Sequence, residues 1–191
     1  MRSNPRWLLV VVLLAPACGT VGTLDDNERA RLADPPRSVV DNVAALLPGA
    51  IAYIDDSERE ILRRGRPLTV EEARIAQAVG VAQPERVRLL VHDDFIQPRD
   101  RAFVALARRL GIDINADLLG RTSGHGMQVR HASARSRRLL AHELTHVAQY
   151  ERMGKADLLR QYFVELLLVG YERSPIEAQA RANEGLDAVG H

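Results

Sequence analysis

The sequence predicts a predominantly helical α+β domain with a small antiparallel sheet or hairpin. Helices are indicated because several segments carry apolar residues at spacings of three and four, bounded by capping residues and glycines. A strand is indicated at 87–91, where Val87, Leu89 and Val91 occupy alternate positions. A glycine-rich turn at 120–126 predicts a hairpin. The 191 residues are enough for one such domain.

Residues 1–17 have the features of a secretory signal. Arg2 and Arg6 precede an apolar run, Trp7 to Ala15, that is too short to span a bilayer. The small residues that end in Cys18 resemble the lipobox of bacterial lipoproteins, although alanine stands where leucine is usual. That resemblance implies that Cys18 is lipidated and becomes the mature N-terminus. An ordinary signal cleaved nearby is the alternative.

The composition limits the partners of the mature chain. Without residues 1–17 it has 24 basic and 25 acidic residues, a formal charge of −1, so no strong field indicates a nucleic-acid partner. Cys18 is the only cysteine, so disulfides do not staple the fold. We expect an envelope protein held to the membrane by its lipid, with a secreted protein as the alternative. Cys18 is followed by Gly19 and not by aspartate, which resembles Gram-negative lipoproteins that are sorted to the outer membrane.

The N-terminal half is expected to be a tether followed by helices. Residues 18–37 suit a tether, and residues 38–191 suit a single domain with a helical part at 38–85 and a metal-binding part at 86–185. Within the helical part we predict helices at 39–47, ended by Pro48-Gly49, at 51–64, and at 70–79 after a capping box at Thr69.

The C-terminal half is expected to hold the sheet and longer helices. We predict a helix from Pro98 to Gly111, then the hairpin, then a helix from about Ser133 or Ser136 to Met153, and helices at 156–169 and from 174 onward. Residues 126–130 are the candidate edge strand beside the metal helix, where a substrate strand could pair. A plain surface hairpin is the alternative.

The helix at 136–153 carries the motif H-E-x-x-H, at His142, Glu143 and His146. Because positions i and i+4 share one helix face, both histidines can reach the same ion. The apolar stripe Leu140, Leu144, Val147 and Ala148 lies on the other side of the helix. Glu143 therefore flanks the predicted ion, where a general base for water belongs.

A catalytic zinc needs a third protein ligand. The three-histidine class is excluded, because Gln149 and Arg152 stand where that class has glycine and histidine. A glutamate from a later helix remains, with Glu177 as the first candidate and Glu165 as the runner-up. Glu177 could instead complete a capping box with Ser174, and Glu165 could be a polar residue at the edge of an apolar helix. Glu172 and His131 are further alternatives.

The same residues resemble a family. The sequence is similar to an uncharacterised bacterial group of metallopeptidase-like domains, which carry H-E-L-[VT]-H-V-x-Q and a later P-x-E-x-[EQ]-A. The similar segments are 142–150, 160–162 and Pro175-Ile176-Glu177-Ala178. The resemblance covers roughly residues 126–185. It implies a zincin-like, gluzincin-type fold that binds zinc.

We therefore expect a zinc-dependent hydrolase, most simply a peptidase acting on peptides or proteins. His142, His146 and Glu177 would hold the ion, and Glu143 would act as general base. The candidates for oxyanion stabilisation are Tyr171, Tyr162, His131 and His125. The alternatives are an envelope lipoprotein whose zinc site is only structural, and an envelope-binding module without metal.

Overall fold

The computed structural model describes residues 23–114 and 118–186, and it is a mostly helical α+β domain. Its helices are α1 (Asp26–Ala33), α2 (Arg37–Arg64), α3 (Val70–Ala78), α4 (Arg101–Arg109), α5 (Arg137–Met153), α6 (Lys155–Leu168) and α7 (Pro175–Asn183). Its strands are β1 (Arg66–Pro67), β2 (Arg88–Val91), β3 (Gly120–Ser123) and β4 (Gly126–Val129). The predicted helix that begins at the Thr69 capping box is confirmed. The helix that carries the motif is also confirmed, and of its two predicted starts, Ser133 and Ser136, the structure has Ser136.

The four strands form one mixed sheet in the order β1-β2-β4-β3. β3 and β4 make a hairpin as predicted, with Ser123 opposite Gly126. The turn is shorter than the predicted 120–126, because residues 120–123 are strand β3 and only Gly124 and His125 connect the two strands. The expectation of an antiparallel sheet is wrong in one respect, because β2 and β4 pair in parallel. The parallel pair requires a long connection, which contains α4.

This sheet also corrects the predicted edge strand. Residues 126–129 form β4, which has β2 on one side and β3 on the other, so both of its edges are already used. Among the described strands, β3 forms the border of the sheet beside α5 and has a free edge. The sequence pattern could not distinguish the two strands of the hairpin, because the pairing with β2 joins residues far apart in the chain.

Two apolar clusters hold the layers together. One lies between the sheet and the pair α3 and α5, and contains Leu89, Met127, Leu144 and Val147 among others. The other joins α2, α4 and α6. α2 also contacts the sheet, on the face opposite to α5, where Ile61 lies against Gly126. The HExxH helix is thus fixed on its apolar side by the sheet.

Helix α2 passes through the residues predicted to end it. Pro48 and Gly49 lie inside a single helix of 28 residues. Residues on both sides of the dipeptide, Leu46 and Ala50, are buried in the same apolar cluster, which favours one continuous helix. A Cβ at Gly49 would lie 2.5 Å from the Cβ of Phe103, so glycine allows α4 to pack closely on α2. By length and composition α2 could cross a membrane. However, its buried stripe, which includes Leu46 and Ile54, packs in the core as in a core helix.

Part of the predicted tether is folded. Asp25 and Glu28 form a capping box that starts α1, and Glu28 makes an ion pair with Arg173. Residues 26–33 therefore belong to the domain, because a capped helix packs on α6. The predicted signal peptide at residues 1–17 and the lipidation site at Cys18 lie outside the described residues.

Candidate metal centre

Helix α5 presents the HExxH residues on a side that the rest of the fold covers. Ser136 caps its first turn by accepting a hydrogen bond from the N–H of Leu139 (3.2 Å). His142 and Glu143 are buried, and His146 is half-buried. Burial of three polar side chains costs free energy unless each finds a partner.

Helix α7 brings Glu177 to the two histidines. Ser174 caps α7 by accepting a hydrogen bond from the N–H of Glu177 (3.3 Å). The return bond of a capping box is not made, because the N–H of Ser174 donates to the carbonyl of Tyr171 (3.2 Å). The carboxylate of Glu177, only 3 % exposed as a residue, is therefore free to face α5.

Three atoms converge between α5 and α7. The Nε2 atoms of His142 and His146 lie 3.2 Å apart. Oε2 of Glu177 lies 3.4 Å from the first and 3.6 Å from the second. Oε2 is buried and has no hydrogen-bond partner in the described structure. His142, His146 and Glu177 thus offer three ligand atoms that could hold one metal ion.

The outer ring nitrogens explain why these atoms face inward. Nδ1 of His142 lies 3.0 Å from Oε1 of Glu184, and Nδ1 of His146 lies 2.8 Å from Oε1 of Gln149. Both oxygens accept, so each Nδ1 carries a proton, and in the neutral form of each ring the lone pair of Nε2 turns inward. Two lone pairs and a carboxylate oxygen in contact repel one another, and a cation between them removes the repulsion.

Without an ion, protons must compensate the same charges. Burial opposes a charged imidazolium, but the carboxylates of Glu177 and Glu184 outweigh it and raise the pKa of His142 to about 10. The pKa of His146 is also raised, with burial opposing and Glu177 favouring the charged ring. For Glu177, burial acts against ionisation, yet the two histidines hold the pKa of its carboxyl well below its usual range. The donor set therefore binds positive charge.

Each outer partner is itself held. Glu184 also pairs with Arg138, and the Nε2 of Gln149 donates to the carbonyl of Ile176 (3.0 Å) and to Oε1 of Gln179 (2.9 Å). These bonds join α5 to α7 on both sides of the cluster. They fix the orientation of both imidazole rings, as partners of metal-bound histidines do.

The carboxylate of Glu143 lies against strand β3. Its Oε2 accepts a hydrogen bond from the hydroxyl of Thr122 (2.7 Å). Its Oε1 lies 2.6 Å from where a Cβ on Gly120 would be. The charge of Glu143 also favours the protonated forms of His142 and His146, so its carboxylate lies near both rings while it contacts β3.

The runner-up ligand has a different role. Oε2 of Glu165 accepts from the hydroxyl of Ser174 (2.5 Å) and from the N–H of Ile176 (3.0 Å). Its Oε1 accepts from Gln161 (2.8 Å). Glu165 is buried on α6 and lies outside the metal-ligand cluster. It anchors the start of α7, and through Ser174 it holds Glu177 in place.

The remaining candidates divide into two groups. Glu172 is exposed, His131 pairs with Asp93 at an exposed position, and His125 pairs with Glu151. The structure therefore places these three away from the cluster.

The two tyrosines are close to it. Burial, and then the charge of Glu177, raise the pKa of both Tyr162 and Tyr171. Glu143 adds to the effect on Tyr171. Both phenols therefore stay protonated at neutral pH and can only donate or accept hydrogen bonds.

Three residues that contact the candidate site were not found from the sequence: Glu184, Thr122 and Gly120. Glu184 lies seven positions after Glu177, two turns along the same face of α7, so a search for carboxylates at that spacing would have found it. Thr122 and Gly120 alternate on one face of the hairpin, but only the tertiary structure shows that this face meets Glu143.

Comparison with known families agrees with the metallopeptidase-like expectation in outline. Residues 72–154 match the model of the eCIS core domain (extracellular contractile injection system core), a family associated with a metallopeptidase-like fold. The match covers 83 of the 191 residues, contains His142, Glu143 and His146, and ends before Glu177. None of the curated proteins or solved structures compared with the chain matches it. From α3 to the end of α5 the chain is therefore similar to the eCIS core domain.

Proposed function

We propose that this protein is a zinc-dependent hydrolase, most simply a peptidase, built on a zincin-like domain with a gluzincin-type site. The observation that carries the proposal is the convergence of His142, His146 and Glu177 around the partnerless Oε2, with Glu143 beside them on the same helix. Two histidines and one carboxylate are a donor set typical of catalytic zinc.

The spacing of the donors supports zinc. Ligand atoms 2.0–2.1 Å from a tetrahedral ion lie about 3.3–3.4 Å from one another. The distances between the three atoms are 3.2, 3.4 and 3.6 Å. Nitrogen and carboxylate ligands without sulfur are also compatible with other first-row metals, but three ligands in tetrahedral spacing with one position left favour zinc.

The proposed chemistry assigns a task to each side chain. When bound, zinc would polarise a carbonyl and make a water molecule more acidic. Glu143 accepts the proton of the attacking water and passes it to the leaving amine. Tyr171, held protonated beside Glu177 and Glu143, donates a hydrogen bond to the oxygen on which negative charge develops. His142 and His146 stay neutral and oriented by Glu184 and Gln149.

The substrate strand is proposed to pair with β3. The N–H of Arg130 donates to the carbonyl of Leu119 (3.0 Å), so the backbone groups of Leu119 point toward β4. In an antiparallel pair the next residues, Gly120 and Thr122, then turn their N–H and C=O groups to the free edge. An extended peptide bound there would run beside Glu143.

A structural zinc site is the rival function, and one observation favours it. Glu143 is only 5 % exposed and is bonded to Thr122, and structural sites are closed whereas catalytic sites keep an open position. In that case the ion would only join α5 to α7. A hydrolytic assay distinguishes the two functions, because both require the ion but only one requires the base.

The test combines metal analysis with a peptide-library cleavage assay. The purified protein should contain one zinc per chain and cleave peptides in a chelator-sensitive way. His142→Ala should lose the zinc. Glu143→Gln should keep it but lose cleavage by a factor of about 10²–10⁴, the usual worth of a general base. Glu172→Gln, which removes an exposed carboxylate of the same charge, is the matched control. Full zinc content without cleavage in the wild type would support the structural site instead.

The location is proposed from the sequence alone. Lipidation of Cys18 would tether the domain to the bacterial cell envelope, on the outer membrane or the periplasmic face. Because α1 begins at Asp26, the tether between the lipid and the fold is short. A secreted form is the alternative.

A further inference from the structure

Strand β3 turns one face to α5, and that face carries Gly120 and Thr122. Side chains of a strand alternate, so these two positions lie on the same face and Arg121 lies on the other. The contacts agree: Thr122 meets Glu143, whereas Arg121 donates to the carbonyl of Ile114 (2.7 Å). Both of these α5-facing positions therefore lie against Glu143.

The hydroxyl of Thr122 can hold only one acceptor strongly. It lies 2.7 Å from Oε2 of Glu143 and 3.0 Å from the carbonyl oxygen of the same residue. A hydroxyl has one proton, and a bond to a charged oxygen is shorter and stronger than a bond to a neutral one. The proton thus belongs to the carboxylate, and both residues are buried, so water does not compete for it.

Gly120 provides the space for the second oxygen. A Cβ at this position would lie 2.6 Å from Oε1 and 2.9 Å from Cδ of Glu143, closer than real contacts allow. Gly120 is not among the glycines with positive φ, so its backbone does not require glycine. The three atoms nearest to such a Cβ all belong to the side chain of Glu143, so an added methyl group would displace that side chain.

We propose that Thr122 and Gly120 are positioning residues for Glu143. Thr122 binds Oε2 and leaves Oε1 as the atom that takes the proton, while Gly120 keeps the space that Oε1 requires. The backbone N–H and C=O groups of the same two residues turn to the free edge of β3. The strand that would bind the substrate therefore also aligns the base. This inference rests on the proposed function for its kinetic consequence, but not for its structural one.

Four variants of the zinc-loaded protein test it. Thr122→Val removes the hydroxyl at nearly constant shape, Thr122→Ser keeps the hydroxyl, and Gly120→Ala fills the space. Ser123→Ala is the matched control, because its buried hydroxyl lies on the opposite face of the strand without a hydrogen-bond partner in the described structure. Zinc content and melting temperature are measured for each, to confirm that it folds.

The structural readout is the crystal structure of each variant. We expect the carboxylate of Glu143 to rotate away from its place in Thr122→Val and Gly120→Ala, and to stay in place in Thr122→Ser and Ser123→Ala. Should Glu143 keep its position in Thr122→Val or in Gly120→Ala, the inference is overturned. If Thr122→Val does not fold, Gly120→Ala decides the question.

The kinetic readout applies if the wild type cleaves a peptide. Thr122→Val and Gly120→Ala should lower kcat about 10- to 100-fold, as misplacement of a catalytic group does, with KM within about twofold. Thr122→Ser should recover most of kcat. An unchanged kcat in Thr122→Val would refute the positioning role. A wild type without hydrolysis refutes the proposed function, and the crystal structures then still decide the positioning of Glu143.

Discussion

Replacing each of the two candidate glutamates, Glu165 and Glu177, by glutamine should show which one is the zinc ligand and which one only stabilises the fold. Glu165 accepts hydrogen bonds from Ser174, Ile176 and Gln161 and is buried. Glu165→Gln replaces one acceptor oxygen by an NH₂ group that must face a donor. Hydrogen bonds to a charged group contribute about 1.5–3 kcal/mol each, so we expect a loss of about 2–4 kcal/mol. For a chain of this length that lowers the melting temperature by about 4–16 °C.

Glu177→Gln should act on zinc instead. At a free zinc concentration about 1,000 times Kd, binding stabilises the fold by about 4 kcal/mol, which raises the melting temperature by about 8–16 °C. Glu165→Gln should start lower and keep this rise, whereas Glu177→Gln should lose it.

The assay is thermal unfolding followed by circular dichroism, with zinc and with chelator. Glu172→Gln controls for the loss of one negative charge and should behave as the wild type. If Glu177→Gln retains the full zinc-dependent rise while Glu165→Gln loses it, Glu165 is the ligand and the assignment of Glu177 is refuted.

Three further predictions concern other parts of the chain. The pKa of His142 is raised to about 10 in the metal-free fold, so the stability that this protonation adds is complete below pH 6.5 and is lost as pH rises toward 10. Zinc must displace the protons that both histidines hold in the metal-free fold, so its affinity should rise with pH up to about pH 10. Calorimetry in two buffers at pH 7 should detect proton release on zinc binding; a pH-independent affinity would contradict this. Gly49→Ala should lower stability by about 1–3 kcal/mol in a denaturant titration because of Phe103, whereas Gly185→Ala, with nothing within 4 Å, should be neutral; equal values for both would refute the packing argument. Cys18→Ala should abolish labelling with a lipid precursor and release the protein from membranes; persistent labelling would place the anchor elsewhere.

The helix that carries the motif was predictable because its information is local. Ser136 and Gly154 delimit it, and the period of Leu144 and Val147 separates its core face from its histidines. The burial of its polar side was not predictable, since Gln149 is covered by α7, which follows much later in the chain.

Elements decided by distant contacts were predicted less well. Pro48-Gly49 is a local signal for a helix end, but the residues on both sides of it pack into one apolar cluster with Phe103 of α4, which favours a continuous helix. β4 is an internal strand because it pairs with β2 as well as with β3. No local pattern within 126–130 could indicate this pairing.

The third ligand shows the same limit at the level of one atom. Glu165 and Glu177 are both glutamates at helix positions that can face α5, so the sequence left both open. The structure separates them through Ser174, whose hydroxyl donates to Glu165 and accepts from the N–H of Glu177. Glu165 thus binds the first turn of α7, whereas Glu177 lies against the two histidines.

The asymmetry of the sheet also bears on self-association. Its other border is β1, only two residues long, and it contains Pro67, which has no N–H to offer an incoming strand. Arg66 beside it is engaged by Glu72 (2.7 Å). A sheet with one edge strand that can pair and one that cannot can join a single partner sheet by edge-to-edge pairing. It cannot extend further into an open-ended assembly. Among the described strands, the geometry that leaves β3 available for a peptide therefore also protects the protein from fibrillar growth.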